Sequence, residues 1–225
     1  MRFCHLSALA MAGFLTWSFG PARPTVLGVV VEADRAHLNT IAVTDGATVY
    51  DGDCFSTEAG GMLFMQSHAA MLELAEESVA TVRGKAISAQ GTEAELSQGT
   101  LVFKAERSTA VEVVAKEARI RPVSETRTIG QVSVLEPNEL RVYARRGSLQ
   151  LLYRGEAETI AEGESYRVIL DPSDDDAKRK GAVKAARVRK TFLLVAITGA
   201  IAGAATAAAL RENHGHKKME SPDRP

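Results

Sequence analysis

The chain holds 225 residues, 45% of them hydrophobic, enough for one packed domain plus accessory segments. A formal net charge of −1 and an aromatic content of 5% argue against a basic field or a stacking platform for nucleic acid. With only two cysteines, Cys4 and Cys54, a disulfide framework and a cysteine-based zinc site are excluded.

Residues 1–22 have the layout of a secretory signal peptide. Arg2 supplies the positive start, and residues 4–19 are apolar and uncharged apart from His5. Gly20 and Ala22 place small residues at the −3 and −1 positions of a cut after Ala22. An uncleaved signal anchor is the alternative, because Pro21 and Arg23 make that site imperfect. Either route exports the adjoining domain.

Residues 25–171 form the predicted domain. Short bursts such as "TLVF", "VEVVA", "QVSVL" and "YRVIL" alternate apolar and polar residues, with Gly, Asn, Asp or Ser between them. That pattern predicts an all-β domain of many short, half-buried strands. The best helical candidate, residues 68–80, has Leu72 and Leu74 at a spacing that fits a strand equally well. A loose repeat links Gly61-x-Leu63, Gly99-x-Leu101-x-Phe103 and Gly147-x-Leu149-x-Leu151. Glycine sets a turn and two same-side apolar residues come after it, as expected for a β-solenoid or a sandwich.

The stretch "VYDGDCFSTEAGGMLFM", residues 49–65, is the densest in reactive groups. It offers Asp51, Asp53 and Glu58 as possible metal ligands and Cys54 as a possible nucleophile. His68 is the base nearest to Cys54 in sequence, on a different predicted strand. Asp and Gly are turn formers, so the expected reading is a turn at Gly52-Asp53 and a second reversal at Gly60-Gly61. His214-x-His216 and the Asp174–Asp176 triplet lack the further ligands of a metal site. No catalytic residue, metal or cofactor is therefore expected, and no enzyme activity.

Beyond the domain, residues 172–191 read as a charged linker, and residues 192–210 are 19 positions without a charge. A helix of that length rises about 28 Å, which matches the hydrocarbon core of a bilayer. This predicts a transmembrane helix, followed by a polar tail over residues 211–225. Gly199 and Gly203 have the spacing that lets two such helices approach closely and form a homo-oligomer. Seven basic residues lie between Lys178 and Lys190, and the positive-inside rule alone would hold the domain in the cytoplasm. The signal-like start outweighs that flank, since an exported domain is carried across before the second span is decided.

The ordered series Gly52-Asp53, Thr57, Gly61-x-Leu63, Leu72-x-Leu74, Ser78 and Gly99-x-Leu101-x-Phe103 resembles the FecR domain. The resemblance continues through Gly130-x-Val132-x-Val134, Leu140-x-Val142, Gly147-x-Leu149, Gly155, Ile160 and Gly163 to the strand at 166–170. It implies an all-β fold and a periplasmic sensor domain that bears on sigma-factor regulation through protein contacts. The family's regulators place their single span before the sensor domain, whereas here the apolar run comes after it. The expectation is a membrane-anchored, exported FecR-like module for envelope sensing, signalling or scaffolding, with a protein partner and no nucleic acid. The alternative is a structural envelope protein that self-associates through Gly199, Gly203 and Cys54.

Overall fold

Alternation at period two places every second side chain on one face of a strand, and here those faces meet in one large core, beside a small second cluster of Ile169, Leu193 and Val195. The computed structural model describes residues 25–68, 70–85, 91–171, 186–188 and 191–197. The chain runs through β1 (Val26–Leu38), β2 (Ile41–Ala42), β3 (Thr48–Tyr50), β4 (Cys54–Ser67), β5 (Ala70–Leu74) and β6 (Val79–Gly84). It continues with β7 (Thr92–Ala105), β8 (Val111–Ala115), β9 (Ala118–Pro122), β10 (Thr128–Glu136) and β11 (Glu139–Arg146). The last elements are β12 (Leu149–Tyr153), β13 (Glu156–Ile160), β14 (Ser165–Leu170), β15 (Ala186–Val188) and β16 (Phe192–Ala196). The described residues contain no helix, so the all-β expectation holds. The helical candidate at 68–80 resolves into β5, the start of β6 and the turn between them.

Three strands are more than twice the length of most others: β1 with 13 residues, and β4 and β7 with 14 each. Each belongs to two half-sheets. Near its start β7 pairs with β6 and β8, and from Gly99 onward with β5 and β10. Similarly, β4 pairs with β6 at residues 54–56 and with β5 at residues 63–66. One half-sheet thus runs β13-β12-β9-β8-β7-β6-β4-β1-β2 and the other β15-β16-β14-β11-β10-β7-β5-β4-β1-β3.

Chain length proves that the shared strands fold over. Val111 pairs with Thr92, yet only six steps separate it from Ala105 at the end of β7. Six residues span at most about 22 Å, whereas the 13 steps of a straight β7 would cover about 43 Å. The strand must therefore bend, which turns its two halves towards each other. The half-sheets accordingly enclose one hydrophobic cluster that includes Phe55, Leu63, Leu101, Phe103, Ile120, Val132, Val142 and Leu149. At Gly130 on β10 an added Cβ would lie 2.4 Å from the ring of Phe103, its cross-strand partner, and 3.0 Å from Leu149 of the other half-sheet. Of the two architectures left open by the repeat, this is the sandwich.

The bends lie on one line. Positive φ occurs at Arg35 (45°), Gly60 (66°) and Gly99 (81°), one per shared strand. The Arg35 guanidinium donates to the Gly60 carbonyl, and Gly60 N–H donates to the Glu76 carboxylate at 2.7 Å. Gly60-Gly61 is thus a kink inside β4, not the expected reversal, because β1 pairs on both sides of it. The β5–β6 turn closes the line through Ser78, which is fully buried. Ser78 N–H donates to Thr57 Oγ1 at 3.0 Å, Ser78 Oγ donates to the Thr100 carbonyl at 3.2 Å, and Thr100 N–H donates to Ser78 Oγ at 2.9 Å. The Gly-x-Leu repeat is not a structural repeat: Gly61 and Gly99 lie within bent strands, and Gly147 (φ 68°) leads from β11 into β12.

The sheet continues past Asp171. Phe192–Ala196, expected as the start of a membrane helix, is strand β16, paired with β14 from Leu170↔Phe192 to Tyr166↔Ala196. Phe192 and Leu194 are buried in the common core. The physical reason is the free edge of β14, which offers backbone partners to an apolar segment that is buried on both faces, with Leu193 and Val195 packed against Ile169. No helix among the described residues is long and apolar enough to cross a membrane. Residues 198–210, with Gly199 and Gly203, lie outside the described residues, as do residues 1–24 and 172–185.

A substitution pair tests the bend. Gly46 and Gly99 share a positive φ, which costs an L-residue about 1–2 kcal/mol. Gly46 has open space around it, whereas a Cβ on Gly99 would sit 2.2 Å from Ser78 Oγ. In urea denaturation, Gly99→Ala is expected to cost at least about 2 kcal/mol more than Gly46→Ala, because it also breaks the buried Ser78 network. Equal losses would show that the bend does not depend on that contact.

Candidate interaction surface

The acidic stretch at 49–65 is structural. Gly52, at φ 88°, turns the chain from β3 into β4 as the sequence predicts. Asp53 is buried and both of its oxygens are engaged: Oδ2 accepts Tyr50 N–H at 2.7 Å, and Oδ1 accepts Asn39 Nδ2 at 2.6 Å. Asn39 Oδ1 in turn accepts Cys54 N–H at 2.9 Å. Asp51 Oδ1 accepts Gly84 N–H at 2.8 Å, which ties the turn to the end of β6. Glu58 faces His37 at 3.6 Å and stands apart from both aspartates. Among the described residues no group of three or more His, Cys, Asp and Glu converges on one point.

Cys54 and His68 are not brought together. Cys54 begins β4 and His68 lies just past its end, and among the described residues no hydrogen bond joins the two. The half-buried thiol lies beside the Phe55 carbonyl at 3.9 Å.

What the turn network builds is a surface. Five of the seven exposed large hydrophobic residues among the described ones lie on β1–β3: Val26, Val29, Val31, Ile41 and Tyr50. Ile41 is 73% exposed. Val26 is directly opposite Tyr50 in the β1–β3 pair. The segment between β2 and β3 folds back on β1, with Val43 N–H donating to the Ala36 carbonyl and Val30 N–H to the Ala47 carbonyl. A groove of about 360 Å³ results, lined by Leu38, Ile41, Val43, Ala47, Tyr50 and Asp53. Asn39, Thr44 and Thr48 also line it, and its carboxylate is already satisfied, so the groove presents a mainly apolar surface. Contiguous exposed apolar surface on a folded domain marks a contact site.

A second cavity of about 410 Å³ contains Lys85, Ser108, Arg121 and Gln150. Its cations are committed: Lys85 pairs with Glu112 at 3.1 Å, and Arg121 donates to Gln150 Oε1 at 2.7 Å and 3.0 Å. The apolar groove is therefore the stronger candidate. Sequence reasoning missed Ile41 in "HLNTIAVTDG", because the three adjacent apolar residues Ile41-Ala42-Val43 show neither the period of a half-buried strand nor that of a helix.

One buried charge lies on the outer face of the second half-sheet. Glu73 sits between Phe64 and Val102 in the cross-strand row, and its Oε1 has no hydrogen-bond partner among the described residues. Burial pushes its carboxyl above the ordinary 4.5, and the more distant Arg145 charge only partly opposes this. Between 4.5 and the raised value the folded protein holds more protons than the unfolded chain. Stability therefore falls as pH rises through that window. Glu73→Gln is expected to raise the thermal midpoint at pH 7 and to leave it close to wild type at pH 4. A midpoint unchanged at pH 7 would mean that the carboxylate costs nothing in place.

No family model matches the chain, and no curated protein matches it. Among solved structures it is similar to two crystal structures of a "putative anti-sigma factor" from Parabacteroides distasonis ATCC 8503, each at 15% identity. The TM-scores are 0.43 and 0.42, and each match covers 52% of this chain and 54% of the other, so it spans about half of those proteins.

Proposed function

We propose that this chain is an exported, membrane-anchored module of the cell envelope that works in sensing, signalling or scaffolding by binding a protein. The observation that carries this reading is the exposed apolar surface of β1–β3 with its groove at Ile41 and Tyr50. A two-stranded edge of this kind suits an extended or loop segment of a partner, held by apolar contact along the groove. The signal-like residues 1–22 and the uncharged run at 192–210 support export and anchorage. The ordered series of glycines and alternating apolar residues supports a FecR-like sensor, and an all-β domain is what that resemblance implies.

Two measurements test the reading. Thr126 is exposed, so a Thr126→Cys chain in a Cys54→Ser background carries a surface thiol on the domain. A membrane-impermeant maleimide is expected to label it in spheroplasts without lysis. Labelling only after lysis would place the domain in the cytoplasm and overturn export. Separately, cross-linking of the full chain in envelope membranes is expected to yield a discrete partner band. Ile41→Asp should reduce that band at least about tenfold with little change in thermal midpoint, since an exposed side chain contributes little to the fold. A band insensitive to Ile41→Asp and Tyr50→Ala would remove the groove from the mechanism.

A further inference from the structure

The uncharged run at 192–210 is asked to do two things. As a complete 19-residue helix it rises about 28 Å and suits a hydrocarbon core of about 30 Å. Yet its first five residues are β16, with Phe192 and Leu194 in the domain core. Without them the run is residues 197–210, 14 positions that rise only about 21 Å as a helix. That is roughly 9 Å short of an average bilayer.

We infer that Phe192–Ala196 is shared between the sandwich and the membrane, and that bilayer thickness decides which one holds it. The inference rests on the membrane anchorage proposed above. In a thin bilayer the short run spans and β16 stays docked. In a thick bilayer the mismatch draws Phe192–Ala196 into the hydrocarbon and β16 leaves β14. The two demands oppose each other: mismatch is penalised per ångström, whereas docking is held by ladders to β14 and β15 and by four buried side chains, Phe192, Leu193, Leu194 and Val195, which would pass from one apolar surrounding to another. Withdrawal would empty the Phe192 and Leu194 sites and leave the edge of β14 unpaired, so a membrane property would reach the core directly.

The ladder supplies a specific readout. Asp171 N–H donates to the Thr191 carbonyl at 2.8 Å, and Ile197 N–H donates to the Ser165 carbonyl at 2.9 Å. Antiparallel alternation then points the N–H groups of Arg167 and Ile169 at β16. Leu170 N–H points the other way, to the Asn138 carbonyl at 2.8 Å, and Val168 N–H shares that side.

The experiment is amide hydrogen exchange on the full chain, reconstituted in phosphatidylcholine bilayers of short and long acyl chains. Arg167 and Ile169 are expected to stay protected in thin bilayers and to exchange at least roughly tenfold faster in thick ones, while Val168 and Leu170 hold. Inserting five leucines after Ile197 restores a 19-residue run and should restore protection in the thick bilayer. Protection of Arg167 and Ile169 that is independent of thickness, in a chain that floats with the vesicles, overturns the shared segment alone. Failure to float at any thickness overturns the anchorage itself, and the shared segment with it.

Discussion

Everything in this domain depends on three strands that serve two sheets at once. A strand can do so only if it bends, and a bend breaks the local ladder. Here β1, β4 and β7 break together, at Arg35, Gly60 and Gly99, so the unpaired groups of one strand are satisfied by its neighbours. Ser78 is the clasp: its hydroxyl and amide join Thr57 on β4 to Thr100 on β7 across the β5–β6 turn. A buried hydroxyl in such a place is costly unless fully partnered, and this one is.

The bend also explains where function can reside. Folding the long strands over buries their inner faces against each other and leaves the ends of β1 as open territory. The residues between β2 and β3 lie along that end and form the apolar groove. Asp53 lines this region with both oxygens bonded, to Tyr50 N–H and Asn39 Nδ2, and Asp51 ties the neighbouring turn to Gly84 N–H through Oδ1. A stretch that is rich in acids therefore ends up as scaffolding for a surface that is not.

Much of the strand content was legible in the sequence because period-two alternation is a local property. The turn at Gly52 was legible for the same reason, since glycine accepts its positive φ. Other turns were hidden. The two-residue connections Asn39-Thr40, Lys116-Glu117 and Arg154-Gly155 all have positive φ at both positions, as mirror-image hairpin turns require. Only the third contains glycine, so Lys116-Glu117 in particular leaves no compositional mark. The reversal expected at Gly60-Gly61 was a kink, because a glycine pair reports conformational freedom and not the direction the chain takes with it. The groove escaped notice because Ile41, Val43, Ala47 and Tyr50 are brought together by pairing and not by spacing.

The order of residues is enough to set the all-β character, the turn at Gly52-Asp53 and the 19-residue uncharged run. Each is a statement about neighbours along the chain, and local sterics and polarity suffice to make it. That two half-sheets share three strands, that Cys54 and His68 stand at opposite ends of β4, and that Phe192–Ala196 pairs as a strand emerge only from the folded chain. These depend on which edges remain open after the rest has paired. An apolar run is equally at home in a bilayer and at the free edge of β14, so hydropathy alone could not show the strand pairing that the backbone partners along β14 supply.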